Sequence, residues 1–116
     1  MAGCGSTQDS DLEDVATAFY SALSDRDGAA ACDVLAPSTR SALEQSAGKP
    51  CPDAILEEQL PEAAGVVEVQ VFDTAGEVRF DGETTFLGRF DAGWQVVAAG
   101  CTPAPPHPYD CTLTGG

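Results

Sequence analysis

The sequence contains no asparagine, one lysine (Lys49), one histidine (His107), one tryptophan (Trp94) and no apolar run approaching 18 residues. The missing apolar run excludes a membrane-spanning helix. The shortage of base is the stronger constraint. Lys49, Arg26, Arg40, Arg79 and Arg89 are scattered against 19 acidic residues, for a net charge of −14. No basic patch exists to hold nucleic acid or an anionic headgroup, and the acidic surface repels both. No P-loop, GxGxxG or CxxC spacing occurs. Phosphate-cradling loops and thioredoxin-like redox centres are therefore not indicated.

What is present suits one domain. The chain has 116 residues and a hydrophobic fraction of 43%, enough to build a modest core. Five cysteines stand at 4, 32, 51, 101 and 111. With a single histidine they make a poor metal set, so no metal or other cofactor is expected. Cys4 lies in a polar, glycine-rich stretch. The other four lie inside the patterned region and can pair, which points to an oxidising compartment and hence to export. Of three possible pairings, Cys32–Cys51 and Cys101–Cys111 join sequence neighbours within each half of the chain.

Ser10-Asp11-Leu12-Glu13 has the form of a capping box. Leu12, Val15, Ala16, Phe19, Tyr20 and Leu23 follow at helical spacing, predicting a helix over about 11–25. Asp25-Arg26-Asp27-Gly28 ends it and caps a short helix over about 28–36, stopped by Pro37. Ser38 caps a third helix to about Gln45, closed by Gly48. Pro52 suits the first turn of a fourth, carrying Ile55, Leu56 and Leu60 and ending before Pro61.

Beyond Gly65 the period becomes two. Val67, Val69 and Val71 alternate with polar residues, as do Val78 and Phe80. Residues 84–90 and 94–100 read as two more strands, giving a four-stranded antiparallel meander after a helical half, an α+β chain. Two registers are open for the third strand. A two-residue turn at Asp81-Gly82 places Thr85 and Leu87 on the face of Val78; a longer loop places Phe86, Gly88 and Phe90 there. Pro103, Pro105, Pro106 and Pro108 are expected to keep the segment between Cys101 and Cys111 out of regular structure, as a cross-linked loop.

Met1-Ala2-Gly3-Cys4 resembles the end of a bacterial lipobox, and Gly5-Ser6-Thr7-Gln8-Asp9-Ser10 resembles the flexible tether that follows one. The resemblance implies a diacylglycerol on Cys4, a tether over 1–10, a domain over 11–116 and a place on the outer face of the cytoplasmic membrane. Phe19-Tyr20-Ser21-Ala22-Leu23, Asp25-Arg26-Asp27-Gly28 and Val34-Leu35-Ala36-Pro37 resemble the opening of NTF2-like (SnoaL/ketosteroid-isomerase-like) domains. With its cysteine framework, the whole chain is similar to small actinobacterial lipoproteins. That resemblance implies N-terminal helices on a curved sheet closing a cone. It also implies dimers, for which the outer sheet face is the place.

The acid–base residues of the family's enzymes have no clear match. Asp33, Glu68 and Arg79 read as solvated, His107 sits between prolines, and Ser38 or Ser41 has no partner spacing. The reading is therefore a non-enzymatic, lipid-anchored accessory module of a membrane or envelope complex, touching its partner through Pro105, His107 and Tyr109. The alternative is a carrier of a small apolar ligand in a cone lined by Phe19, Tyr20, Phe86, Phe90 and Trp94. A cone-fold isomerase or hydrolase ranks last.

Overall fold

The computed structural model describes the backbone of residues 4–58, 60, 65–104 and 107–114, and the side chains of all these except 4–8, 104, 107 and 108. Four helices come first: α1 (Cys4–Ser24), α2 (Gly28–Asp33), α3 (Pro37–Ala47) and α4 (Cys51–Glu57). Five strands follow: β1 (Val66–Phe72), β2 (Ala75–Phe80), β3 (Glu83–Phe90), β4 (Gly93–Ala104) and β5 (His107–Leu113). They form one open antiparallel sheet in chain order. The α+β class and helices-first order agree with the sequence, while the strand number is five, not four.

Helix α1 buries Leu12, Ala16, Phe19 and Tyr20 against the sheet, the stripe its spacing predicts. It begins at Cys4, upstream of the expected start and through the residues read as a tether. Ser10 thus lies inside the helix and not at its N-cap. No proline interrupts residues 4–10, and adding turns to a packed helix costs far less than nucleating one. Asp27 caps α2 by accepting from the Ala30 N–H at 3.1 Å. Pro37 opens α3 and does not merely stop α2, so Ala36, not Ser38, is the N-cap. Gly48 ends α3 in the left-handed conformation. Glu44 of α3 accepts from the backbone N–H of Cys51 at 3.0 Å, satisfying a free donor at the start of α4.

The helical layer is stapled and close-packed. Cys32 of α2 is bonded to Cys51 of α4. Next to it, Gly28 fits so tightly that a Cβ would lie 2.1 Å from the Pro52 carbonyl oxygen. Thr39 of α3, fully buried, donates its hydroxyl to the Val97 carbonyl of β4 at 2.8 Å. The linker between α2 and α3 also reaches the sheet. Ala36 N–H donates to Val96 O at 2.8 Å, and Val96 N–H to Val34 O at 2.7 Å.

Two features of the sheet depart from the sequence reading. The first is β5, in the segment expected to be irregular. Cys101 lies opposite Cys111, and the pair is disulfide-bonded across the two strands. The prolines are tolerated by position. Pro103 falls at the irregularity between Thr102 and Ala104, and Pro108 lies on an edge strand. The second is in β1, where a bulge between Val66 and Glu68 turns Val66 toward the core. It leaves Val67 58% exposed, although the alternation placed Val67 with Val69 and Val71.

Candidate functional site

The third strand takes the tighter of its two registers. Phe80 opposes Glu83 across a two-residue turn at Asp81-Gly82, and Val78 opposes Thr85. Gly82 supplies the positive φ that such a turn needs, at 106°. Glu83 and Thr85 consequently share the helix-facing side with Val78 and Phe80. Glu83 is 5% exposed and Thr85 fully buried.

A carboxylate in that position must be met by donors, and three elements supply them. The Tyr20 hydroxyl of α1 donates to Glu83 Oε1 at 2.5 Å. The Gly100 N–H of β4 donates to the same oxygen at 2.9 Å. The Thr85 hydroxyl lies 3.4 Å from Oε2 and 3.5 Å from the Tyr20 oxygen. Phe19 and Phe80 pack edge-on against the Tyr20 ring, each with centroids 5.3 Å away. No cation pairs with Glu83 among the described residues. Burial pushes its carboxyl above the ordinary range, opposed by the hydrogen bonds from Tyr20, Gly100 and Thr85. Burial first, then the hydrogen bond to Glu83, pushes the Tyr20 hydroxyl well above its ordinary value. A cavity of about 480 Å³ opens beside this cluster, lined by Glu83, Gly100, Thr102, Asp110 and Thr112 together with Gly82 and Cys111.

The cluster can hold a charge or a proton and can tie α1 to β3 and β4. As a catalytic base it is poorly placed, because Oε1 already accepts two bonds and the side chain is almost sealed from solvent. Asp33, Glu68 and Arg79 are exposed, and Glu68 and Arg79 pair with each other at 2.7 Å. Among the described residues no group of three or more His, Cys, Asp or Glu side chains could hold a metal ion.

The five aromatic residues expected to line a cone do not surround one cavity. Phe19, Tyr20 and Trp94 are buried in the core between helices and sheet. The adopted register sends Phe86 and Phe90 to the opposite, outer face, where Phe90 is 41% exposed. Phe86 there meets Tyr109 of β5 edge-on, with centroids 4.9 Å apart. Tyr109 is 36% exposed, and Phe72, from β1 on the same face, is 56% exposed. Of the other expected contact and anchor residues, Pro105 lies outside the described residues. His107 begins β5 and Cys4 begins α1, and both side chains lie outside the described ones.

Glu83 and Thr39 are not among the residues that the sequence picks out, whereas Thr85 falls on the face of Val78 in the tighter of the two expected registers. For Glu83 a signal existed: a two-residue Asp-Gly turn after Phe80 places position 83 on the buried face. No protein-family model matches the chain, and no curated protein or solved structure is similar to it.

Proposed function

We propose that this chain is an exported, lipid-anchored, non-enzymatic accessory module that docks on a membrane or envelope complex through the outer face of its sheet. One observation carries the docking reading. On a chain of net charge −14, the outer face presents Phe72, Phe90 and Tyr109 to solvent around Phe86. Exposed aromatic groups at this density mark interaction surfaces, since they contribute contact area at low entropic cost. Export is supported by the two disulfides, which persist in oxidising compartments. A lipid on Cys4 would hold the domain at the outer face of the cytoplasmic membrane. The non-enzymatic reading is supported by the internal saturation of Glu83. The helices-first order is compatible with the NTF2-like cone that the opening motif resembles.

The test is photo-crosslinking in the native host from an artificial residue at Phe90 or Tyr109, with Glu13 on the exposed face of α1 as control. Discrete adducts from the sheet positions and none from Glu13 are expected. Equal labelling, or none, would remove the docking face. Intact mass of the same protein tests the anchor, which requires a diacylglycerol-sized addition on Cys4.

A further inference from the structure

The edges of the sheet are guarded unequally. Strand β4 is covered on its far side in two halves, by the 34–36 linker at Val96 and by β5 from Ala99 to Ala104. Strand β5 is an edge, and Pro108 removes a backbone donor from it. Strand β1 is the other edge. It is seven residues long, reads Val-Val-Glu-Val-Gln-Val-Phe, and contains neither proline nor lysine. Among the described residues its only strand partner is β2, and no further backbone hydrogen bond reaches it. The two most exposed large apolar side chains, Val67 and Phe72, both belong to it. An edge of this length and composition is a template for another strand.

We infer that β1 pairs antiparallel with β1 of a second copy of this chain, about a two-fold axis at Val69, joining two five-stranded sheets into one. The side-chain order selects the partner and the register. Directly opposed antiparallel residues share a face. With the axis at Val69, Glu68 falls opposite Gln70 of the second copy, twice over, and Val67, which the bulge takes out of the regular alternation, comes beside Val71. Glu68 and Gln70 are chemically suited to meet, and within one strand the Gln70 amide already donates to Glu68 at 2.6 Å. Val67 gains an apolar neighbour where it now faces water. Moving the axis to Gln70 would instead set Glu68 against Phe72 and Val67 against Asp73, and moving it to Glu68 would set two carboxylates face to face. Of these three registers only the first sets Glu68 against an amide.

The contact is small and joins two strongly acidic bodies, with Asp11, Glu13 and Asp14 exposed on the α1 that packs beside β1. The dimer is therefore weak and tightens as salt screens the repulsion. The contact shares Phe72 with the outer aromatic face but leaves Phe86, Phe90 and Tyr109 outside it, so cross-linking from Phe90 or Tyr109 reads that face separately.

The test uses the full chain with Cys4→Ser, so that no other free thiol interferes. Glu68→Cys and Gln70→Cys proteins are oxidised separately and as a mixture. The inferred register requires disulfide-linked dimers in the mixture and few in either protein alone. Sedimentation of the otherwise unmodified chain should show a dimer strengthened by sodium chloride and weakened about tenfold by Val67→Lys, at a position exposed enough to spare the fold. Cross-linking that is absent, or equal in all three samples, would overturn the register. A monomer at every concentration and salt level would overturn the pairing.

Discussion

Glu83 is a residue whose ionisation is bound to the fold. Its carboxyl is raised above the ordinary value by burial, despite three donors. The native chain therefore holds this proton more tightly than the unfolded chain does. The resulting stabilisation is fully present below the unfolded value near 4.5 and is lost as pH rises through the raised native value. Glu83→Gln removes that dependence. Denaturant unfolding of both proteins between about pH 4 and pH 8 should show the stability of the wild type, relative to the variant, falling as pH rises. A constant difference would mean that the buried carboxyl titrates as it does in water. Tyr20→Phe takes away the closest donor and leaves the carboxyl oxygen under-satisfied. It should cost about 1–3 kcal/mol, and less once Glu83→Gln is also present. Gly28 fails for a different reason. Its Cβ would collide with backbone at Pro52, which no side-chain rotation relieves, so Gly28→Ala should cost at least about 2 kcal/mol.

At the scale of elements, what the sequence reveals follows the strength of local signals. The buried stripe of α1, the Asp27 cap, the left-handed Gly48 and the Cys32–Cys51 and Cys101–Cys111 pairs are all legible, because each depends on residues near one another in the chain. The departures depend on pairing partners. Strand β5 looked like a proline loop because the bulge and the edge that accommodate Pro103 and Pro108 exist only once β4 lies beside it. Phe86 and Phe90 lie on the outer face, the outcome of the tighter of the two registers left open, because one turn length decides the side of every residue in β3. Glu83 was hidden by the same ambiguity. The disulfides allow a quantitative comparison. The Cys32–Cys51 bond closes a separation of 19 residues and the Cys101–Cys111 bond one of 10. Loop entropy gives about 3 kcal/mol for the first and slightly less for the second. Paired alanine replacements followed by thermal unfolding should rank them in that order. The first deletion should loosen the packing of α2 on α4, and the second should release β5, readable as faster amide exchange there. The reverse ranking would show that the β4–β5 clasp does more than shorten the unfolded chain.

For the whole molecule the governing quantity is charge. The chain carries 19 acidic groups against 5 basic ones, and only two ion pairs join them among the described residues, Lys49–Glu57 and Glu68–Arg79. Most of the acid is therefore repelled by more acid, and folding concentrates it. Exposed pairs of this kind contribute little, on the order of 0.5 kcal/mol each, so screening removes more repulsion than attraction. Sodium chloride should raise the melting temperature between about 0.02 M and 0.5 M, where the screening length shrinks from roughly 20 Å to about 4 Å. Sulfate would blur the result, because it also strengthens apolar burial. Acid has the same direction of effect through Glu83, whose raised carboxyl favours the protonated native state. The two are separable because they respond to different perturbations. Salt acts on the surface and leaves a sealed carboxyl almost untouched, whereas Glu83→Gln acts on the interior alone. The salt increment should thus be the same in the wild type and in Glu83→Gln, while their difference in pH dependence should persist in 0.5 M salt. A melting temperature that falls with chloride would mean that attractive pairs dominate this surface.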